Sequence, residues 1–357
     1  MVNANFVFYN LSMKQINIVL VAIILLFTLA PILLPSNVDE KSTYEIEAPI
    51  GLVYDEFSDL RHFSNWELMT AKDSLTFKNF NEDEENEKEF VEWKSKDGSV
   101  GNGKIEKKEA EINNFINYQI KYEGWEKEDN LRFDFEQTPV GTTKVKVHYF
   151  SQEIPYFYRY FLYFNSPMKK LEASIMNFNE LIKVKLDKER KEGKLIFGEF
   201  KVVKVPKQVL MAVKKFTKIN NDADIMKKSD EAFEVIYKAL VNEENTFDFD
   251  LGFPNIYRTD IDTIKERQTI FAGIHFIDDV PLKGGMQRVI IPGGDYILTL
   301  HQGPRSQREK TIQGMKNYAK SKKIKISDRE LEVLLNDPKE TDSMQLKSRI
   351  YIPVKTD

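Results

Sequence analysis

Between Tyr44 and Trp66 the chain reads YEIEAPIGLVYDEFSDLRHFSNW, and the elements on either side of this run have to accommodate it. Tyr44, Ile46 and Ala48 share one parity and Glu45 and Glu47 the other, the alternation of a strand with one buried face. Pro49 has no N–H for a ladder and ends that strand. Val53, Phe57 and Leu60 then fall at i, i+4 and i+7, which predicts a short helix. A second turn through Arg61–Ser64 closes on Trp66.

After Trp66 the spacing predicts short strands at Leu75–Phe80, Lys88–Lys94, Lys104–Lys108, Asn117–Tyr122, Leu131–Phe135 and Thr142–Phe150. The acidic run Asn81–Glu89 lacks the spacing of a calcium loop and reads as a solvated hairpin tip. The period then changes: Leu162, Met168, Leu171, Ile175, Phe178 and Ile182 recur near helical spacing, up to the charged stretch Lys185–Lys191.

The opening motif and this element order resemble the START-like superfamily (SRPBCC, polyketide cyclase-like). Its I-x-A-P, V-[YF], F-x-D and Trp positions are here Ile46, Ala48, Pro49, Val53, Tyr54, Phe57, Asp59 and Trp66. The resemblance implies a helix-grip fold, in which a curved sheet wraps a long helix around an apolar cavity. Trp66, Trp93, Trp125, Tyr118, Phe133, Tyr149 and Phe178 are then candidates for its ligand-binding lining, with a packed core as the other reading.

Ahead of this domain, Ile18–Leu34 is free of charge and close to the ~20 residues that cross a bilayer. An uncleaved single-pass anchor and a signal peptide both fit; Pro31, directly after Ala30, speaks against cleavage there. Lys14 before the span and Asp39 and Glu40 after it favour a soluble body on the extracytoplasmic side.

Asp187–Lys194 reads as a frayed helix end and a linker. Beyond it lie strands at Phe197–Val205 and Val209–Phe216, then a helix with Ile225, Ala232, Val235, Ile236, Ala239 and Leu240 on one face. Strands follow at Asn255–Arg258 and Gln268–Ile277. The order recurs: strands Arg288–Ile291 and Tyr296–His301, a helix through Ile312, Met315, Tyr318 and Ala319, then strands Leu331–Leu335 and Leu346–Pro353. Strand, helix, strand, strand, twice, predicts an internal duplication.

This second half is similar to the GyrI-like effector-binding domain in Thr299, Gly303 and Pro304, in Glu332, Asp337 and Pro338, and in Ile350, Ile352, Pro353 and Val354. The resemblance implies a pocket for cationic or apolar small molecules, of a kind found in bacteria behind transcription regulators and also alone. Glu332 is its key carboxylate, either aimed into that pocket or paired at the surface with Arg329 or Lys347; Tyr257 and Tyr296 join it as candidate ligand-binding residues. Relatives commonly carry an aromatic just after the Gly and a Tyr two residues after the Glu, where this chain has Arg305 and Leu334. Gly303 with Arg305 and Arg308 at a helix start reads as an anion seat or as a plain cap.

The fold class is therefore α+β: an N-terminal transmembrane helix (1–36), a START-like domain (43–188), a linker (189–194) and a duplicated GyrI-like domain (195–357). The absence of cysteine removes thiolate nucleophiles and thiolate metal ligands. The four histidines show no zinc spacing, so no metal and no cofactor are expected. A net charge of −4 argues against a nucleic-acid partner. Three functions remain: a membrane-anchored binder of hydrophobic or cationic small molecules, an enzyme of cyclase or hydrolase type using Glu332 or polar groups in the START-like cavity, and a scaffold with closed pockets.

Overall fold

The chain's structure, a computed structural model, describes residues 13–67, 76–83, 88–96, 101–160, 167–219, 221–240, 252–276 and 282–355. The apolar run forms helix α1 (Met13–Leu29), continued by a 3-10 turn at Ala30–Ile32. Its side chains are almost entirely exposed, and the span Lys14–Ile32 is long and apolar enough to cross a membrane.

Seven antiparallel strands make the first sheet: β1 (Asp39–Ile46), β2 (Thr76–Asp83), β3 (Lys88–Ser95), β4 (Asn102–Glu111), β5 (Phe115–Tyr122), β6 (Asp129–Gln137) and β7 (Thr143–Phe150). Their order is β1-β7-β6-β5-β4-β3-β2, so each strand from β2 to β7 lies beside its sequence neighbour and β1 closes onto β7. The first strand begins five residues earlier than its alternation suggests, because Asp39–Ile46 pairs along the whole of β7. Of the predicted hairpin tip Asn81–Glu89, residues 81–83 and 88–89 are paired strand, while 84–87, and Leu162 in 161–166, lie outside the described residues.

Helices α2 (Ile50–Ser58) and α3 (Leu60–Trp66) follow β1; Val53 and Phe57 lie on α2 as their spacing predicts, while Leu60 opens α3. Asp59 separates them and caps the second, its carboxylate accepting from the N–H groups of Arg61 (2.7 Å) and His62 (3.2 Å). The long helix α4 (Pro167–Lys191) buries Met168, Leu171, Ile175, Phe178, Ile182 and Leu186, one stripe at helical spacing. That stripe shares one core with Ile46, Phe57, Trp66 and the inward faces of β3 to β7.

The second sheet has eight antiparallel strands: β8 (Lys201–Val205), β9 (Gln208–Lys218), β10 (Asn255–Asp262), β11 (Arg267–His275), β12 (Met286–Ile291), β13 (Gly294–Gln302), β14 (Glu330–Leu334) and β15 (Lys347–Pro353). In the order β12-β9-β11-β10-β14-β15-β13-β8 the two halves meet at the β10–β14 seam. Each half lends its first strand to the other: β8 pairs with β13 and β12 with β9. Helices α5 (Asp222–Leu240) and α6 (Arg308–Ser321) pack on separate cores, α5 on Met211, Ile256 and Ile270, α6 on Ile297, Ile350 and Ile352.

The two folded units touch. Gly51 N donates to Phe197 O (3.0 Å), Gln137 Nε2 to Gly198 O, and Gln307 Nε2 to Glu111 Oε1. Gln137 and Glu111 lie at the end of the first sheet, where β6 turns into β7 and β4 into β5, and Gly51 lies in the first turn of α2, just after the end of β1 that pairs with Thr143. The opposite end, where Asp39 pairs with Phe150, lies next to α1.

Candidate functional site

Strand β14 places Glu330, Glu332 and Leu334 on one face and Leu331 and Val333 on the other, by the two-residue period of a strand. Glu332 pairs across the seam with Ile256 and on its other side with Ile350, both core residues beneath the helices. Its side chain therefore points under the helical layer and is 0% exposed. Arg258, two residues after Ile256, shares that face. Gly303, at φ +109°, swings the chain from β13 into a 3-10 turn (Arg305–Gln307) and then α6. In that turn Arg305 and Arg308 are three apart and reach the same side.

The carboxylate of Glu332 accepts four hydrogen bonds. Oε2 receives Arg258 Nη2 (3.1 Å) and Arg308 Nε (3.0 Å); Oε1 receives Ser348 Oγ (2.8 Å) and Arg305 Nη1. Around this centre Arg308 Nη2 donates to Glu330 Oε2 (2.6 Å) and Arg258 Nη2 to Asp222 Oδ1 (3.3 Å). Three guanidinium groups thus face three carboxylates. Burial alone would raise the Glu332 carboxyl; Arg305, Arg308 and Arg258 outweigh it and hold the group well below the usual carboxylate range. His301, whose Nδ1 lies 2.9 Å from Thr311 Oγ1, is pushed down to about 4 by burial, with Arg305 and Arg308 adding to the effect.

Glu332 is therefore neither open to a ligand nor a surface partner of Arg329 or Lys347. The anion that Arg305 and Arg308 seat at the start of α6 is this carboxylate. Arg305 stands where relatives carry an aromatic, and its other nitrogen rests on Met226 Sδ of α5, so it fills the space between the halves. A signal for the cluster was present in the sequence: Arg258 has the parity of the buried Ile256, a position a cation occupies only when paired.

Tyr257 and Tyr296 do not join Glu332. Tyr257 pairs with Leu331, and Tyr296 packs its ring 6.4 Å from that of Tyr351, itself opposite Leu331. Directly paired residues share a face, so these tyrosines lie on the far side of the sheet from the carboxylate. The first-domain candidates separate in a similar way. Phe57 packs 4.6 Å from Trp66, 5.0 Å from Phe133 and 5.3 Å from Phe178, and Tyr118 stacks 5.5 Å from Phe63. Trp93 lies against Gly103, where a Cβ would meet its ring at 2.5 Å, and Tyr149 donates to Asp129. These six are buried core, and a ligand among them would have to part those contacts. Trp125 sits apart, half-buried on the β5–β6 loop against Tyr122 and Tyr158.

Two open volumes adjoin the second domain. One, of about 350 Å³, runs between α5 and the segment after β14; Phe233, Tyr237, Phe253 and Leu334 line it, with the carboxylates of Asp230, Glu234 and Asp337 and with Lys339 at its edge. Burial, with Asp337 and Glu234 close by, raises the Asp230 carboxyl above its ordinary value. It shares Leu334, Asn336 and Pro338 with a much smaller gap that ends on Arg305 and Ser348. The other, of about 390 Å³, lies between the two units over Ile50, Phe135, Phe197 and Phe200.

Comparison with known proteins bears on this half of the chain. Residues 198–355 match the family model described as the GyrI-like small molecule binding domain. Solved structures similar to the chain include a hydrolase from Listeria innocua (14% identity, TM-score 0.34, 47% of this chain and 97% of that one). The EcmrR C-terminal domain (12%, 0.35, 44% and 98%) and a protein solved with tetraphenylphosphonium bound (12%, 0.33, 44% and 94%) are others. No curated protein matches the chain. Residues 198–355 thus carry a GyrI-like small molecule binding domain.

Proposed function

We propose that the chain is a membrane-anchored binding protein whose carboxy-terminal domain takes up an apolar, positively charged organic molecule in the groove between α5 and the segment after β14. The observation that carries this reading is the lining of that groove: three aromatic rings and three carboxylates facing a single lysine. Ring faces attract a cation as well as an apolar body. A cation there would favour the ionised form of Asp230, which burial and the nearby Asp337 and Glu234 disfavour. Glu332 has no part in this as the structure stands, because its charge is already met by three arginines.

The same fact speaks against catalysis by Glu332. A general base needs a free lone pair and a proton affinity near the working pH. This carboxylate has two hydrogen bonds on each oxygen and a depressed pKa. We read the first domain as START-like on its order of strand, two short helices, six strands and long helix. The exposed apolar α1 supports the anchor, and Lys14 in its first turn, ahead of the apolar run, with Asp39 and Glu40 after it, supports an extracytoplasmic body.

The test is calorimetric titration of the full chain in detergent with tetraphenylphosphonium, a lipophilic monocation. Binding that weakens in an Asp230→Asn/Asp337→Asn double variant supports the groove. Absence of binding, or binding that the double variant leaves unchanged, would overturn it.

A further inference from the structure

The sheet end that faces α1 carries a feature that ligand binding does not use. The segment Ile154–Tyr160, IPYFYRY, turns back from β7 onto the carboxy-terminal end of α1. Tyr160 Oη donates to Phe27 O, Tyr156 Oη to Thr28 O, and Arg159 Nη1 to Pro31 O (3.2 Å). The reason lies in the sequence of α1. Pro31 has no N–H, so the carbonyl of Phe27, four residues earlier, lacks its helical donor, and the last carbonyls of any helix lack theirs. Two tyrosine hydroxyls supply donors to the carbonyls of Phe27 and Thr28, the Arg159 guanidinium adds a second donor to Pro31 O, which also accepts from Leu34 N (3.3 Å), and the Tyr160 ring stacks on Phe27 at 4.8 Å.

The outer side of the same turn is apolar and open: Phe157 is 61% and Tyr158 53% exposed. Trp125, from the β5–β6 loop, packs its ring 5.5 Å from Tyr158 and widens the patch. Lys127 pairs with Glu153 at 3.4 Å and Arg159 is spent on backbone carbonyls, while Glu126 and Glu128 border the patch beside Trp125. Tyr and Trp with an apolar body and a polar tip, massed where an apolar helix ends, have the chemistry of the bilayer–water boundary.

We propose that Tyr156–Tyr160 and Trp125 form an interfacial seat that enters the headgroup layer of a lipid bilayer, so that the first domain is held against the membrane by its sheet end and not only by the α1 tether. This rests on reading α1 as a membrane anchor. The seat binds by burying aromatic surface, so it needs no anionic lipid. It also sets the β6–β7 turn and the second domain on the side away from the membrane.

The chain has no cysteine, so single labels can be placed at will. The full chain carrying Phe157→Cys or Val140→Cys, each coupled to an environment-sensitive nitrobenzoxadiazole dye, is reconstituted into phosphatidylcholine vesicles. Val140 is 62% exposed and lies at the opposite end of the sheet, in the β6–β7 turn. The expected result is blue-shifted emission at 157, quenched by lipids brominated on the upper acyl chain and unchanged in high salt, with a label at 140 quenched by aqueous iodide. Equal iodide access at the two positions, in a chain that stays with the vesicles through a carbonate wash, would overturn the seat and leave the anchor standing. Loss of the chain in that wash would overturn both.

Discussion

Replacing Glu332 by Gln tests the arginine cluster most directly. In the wild-type chain Glu332, Glu330 and Asp222 face Arg258, Arg305 and Arg308; the substitution leaves three cations against two anions in a site where Glu332 is fully buried and Arg308 1% exposed. The amide also puts a donor where one carboxylate oxygen accepted two hydrogen bonds, so a pair of donors on that side loses its acceptor. Breaking a buried ion pair from one side costs about 3–5 kcal/mol. For a domain the size of 198–355 each kcal/mol lowers Tm by roughly 2–4 °C, a total of roughly 6–20 °C.

The pH dependence checks the sign. Glu332 is held below its ordinary pKa in the folded state, so its contribution is complete above the ordinary value of 4.5 and is lost as pH falls through the depressed folded value. Gln does not titrate. The gap between wild-type and variant should therefore be full at neutral pH and narrow below about pH 4.5. Calorimetric melts of the full chain at several pH values, with the first domain's transition as internal reference, measure it. A neutral-pH loss under about 1 kcal/mol, the range of a solvated pair, would refute the buried hub.

Other outcomes follow from neighbouring residues. His301, pushed down to about 4, stays neutral on folding while the unfolded chain takes up a proton below 6.5, so stability should fall by up to about 3 kcal/mol between pH 6.5 and 4; His301→Gln should flatten that slope in urea midpoints. Arg305→Leu removes one of the two donors on Glu332 Oε1, leaving Ser348, and joins the small gap beside it to the groove, so tetraphenylphosphonium should bind several-fold tighter by calorimetry. Phe57→Ala removes a ring with four aromatic neighbours inside 5.6 Å of it, and should cost the first domain about 3–5 kcal/mol by denaturant unfolding while leaving cation binding unchanged.

What the sequence disclosed and what it withheld divide by range. Alternation and helical spacing are local, and they placed β9, β13, α5 and α6 within a few residues of their observed bounds. The same alternation already put Tyr257 out of phase with Arg258, and so on the other face from Glu332. Short-range patterns could not show that Arg258 on β10, Glu332 on β14 and the start of α6 converge on one point, since their separations in sequence are 74 and 24 residues. The turn at Ile154–Tyr160 escaped for another reason: it has no period at all, and its meaning depends on the carbonyls of a helix more than 120 residues earlier. The departures from the family pattern carried the most information. Arg305, in the place where the resemblance implies an aromatic, pairs with Glu332: the carboxylate's charge is met by the chain itself, and the groove proposed for a ligand runs along α5 beside that pair.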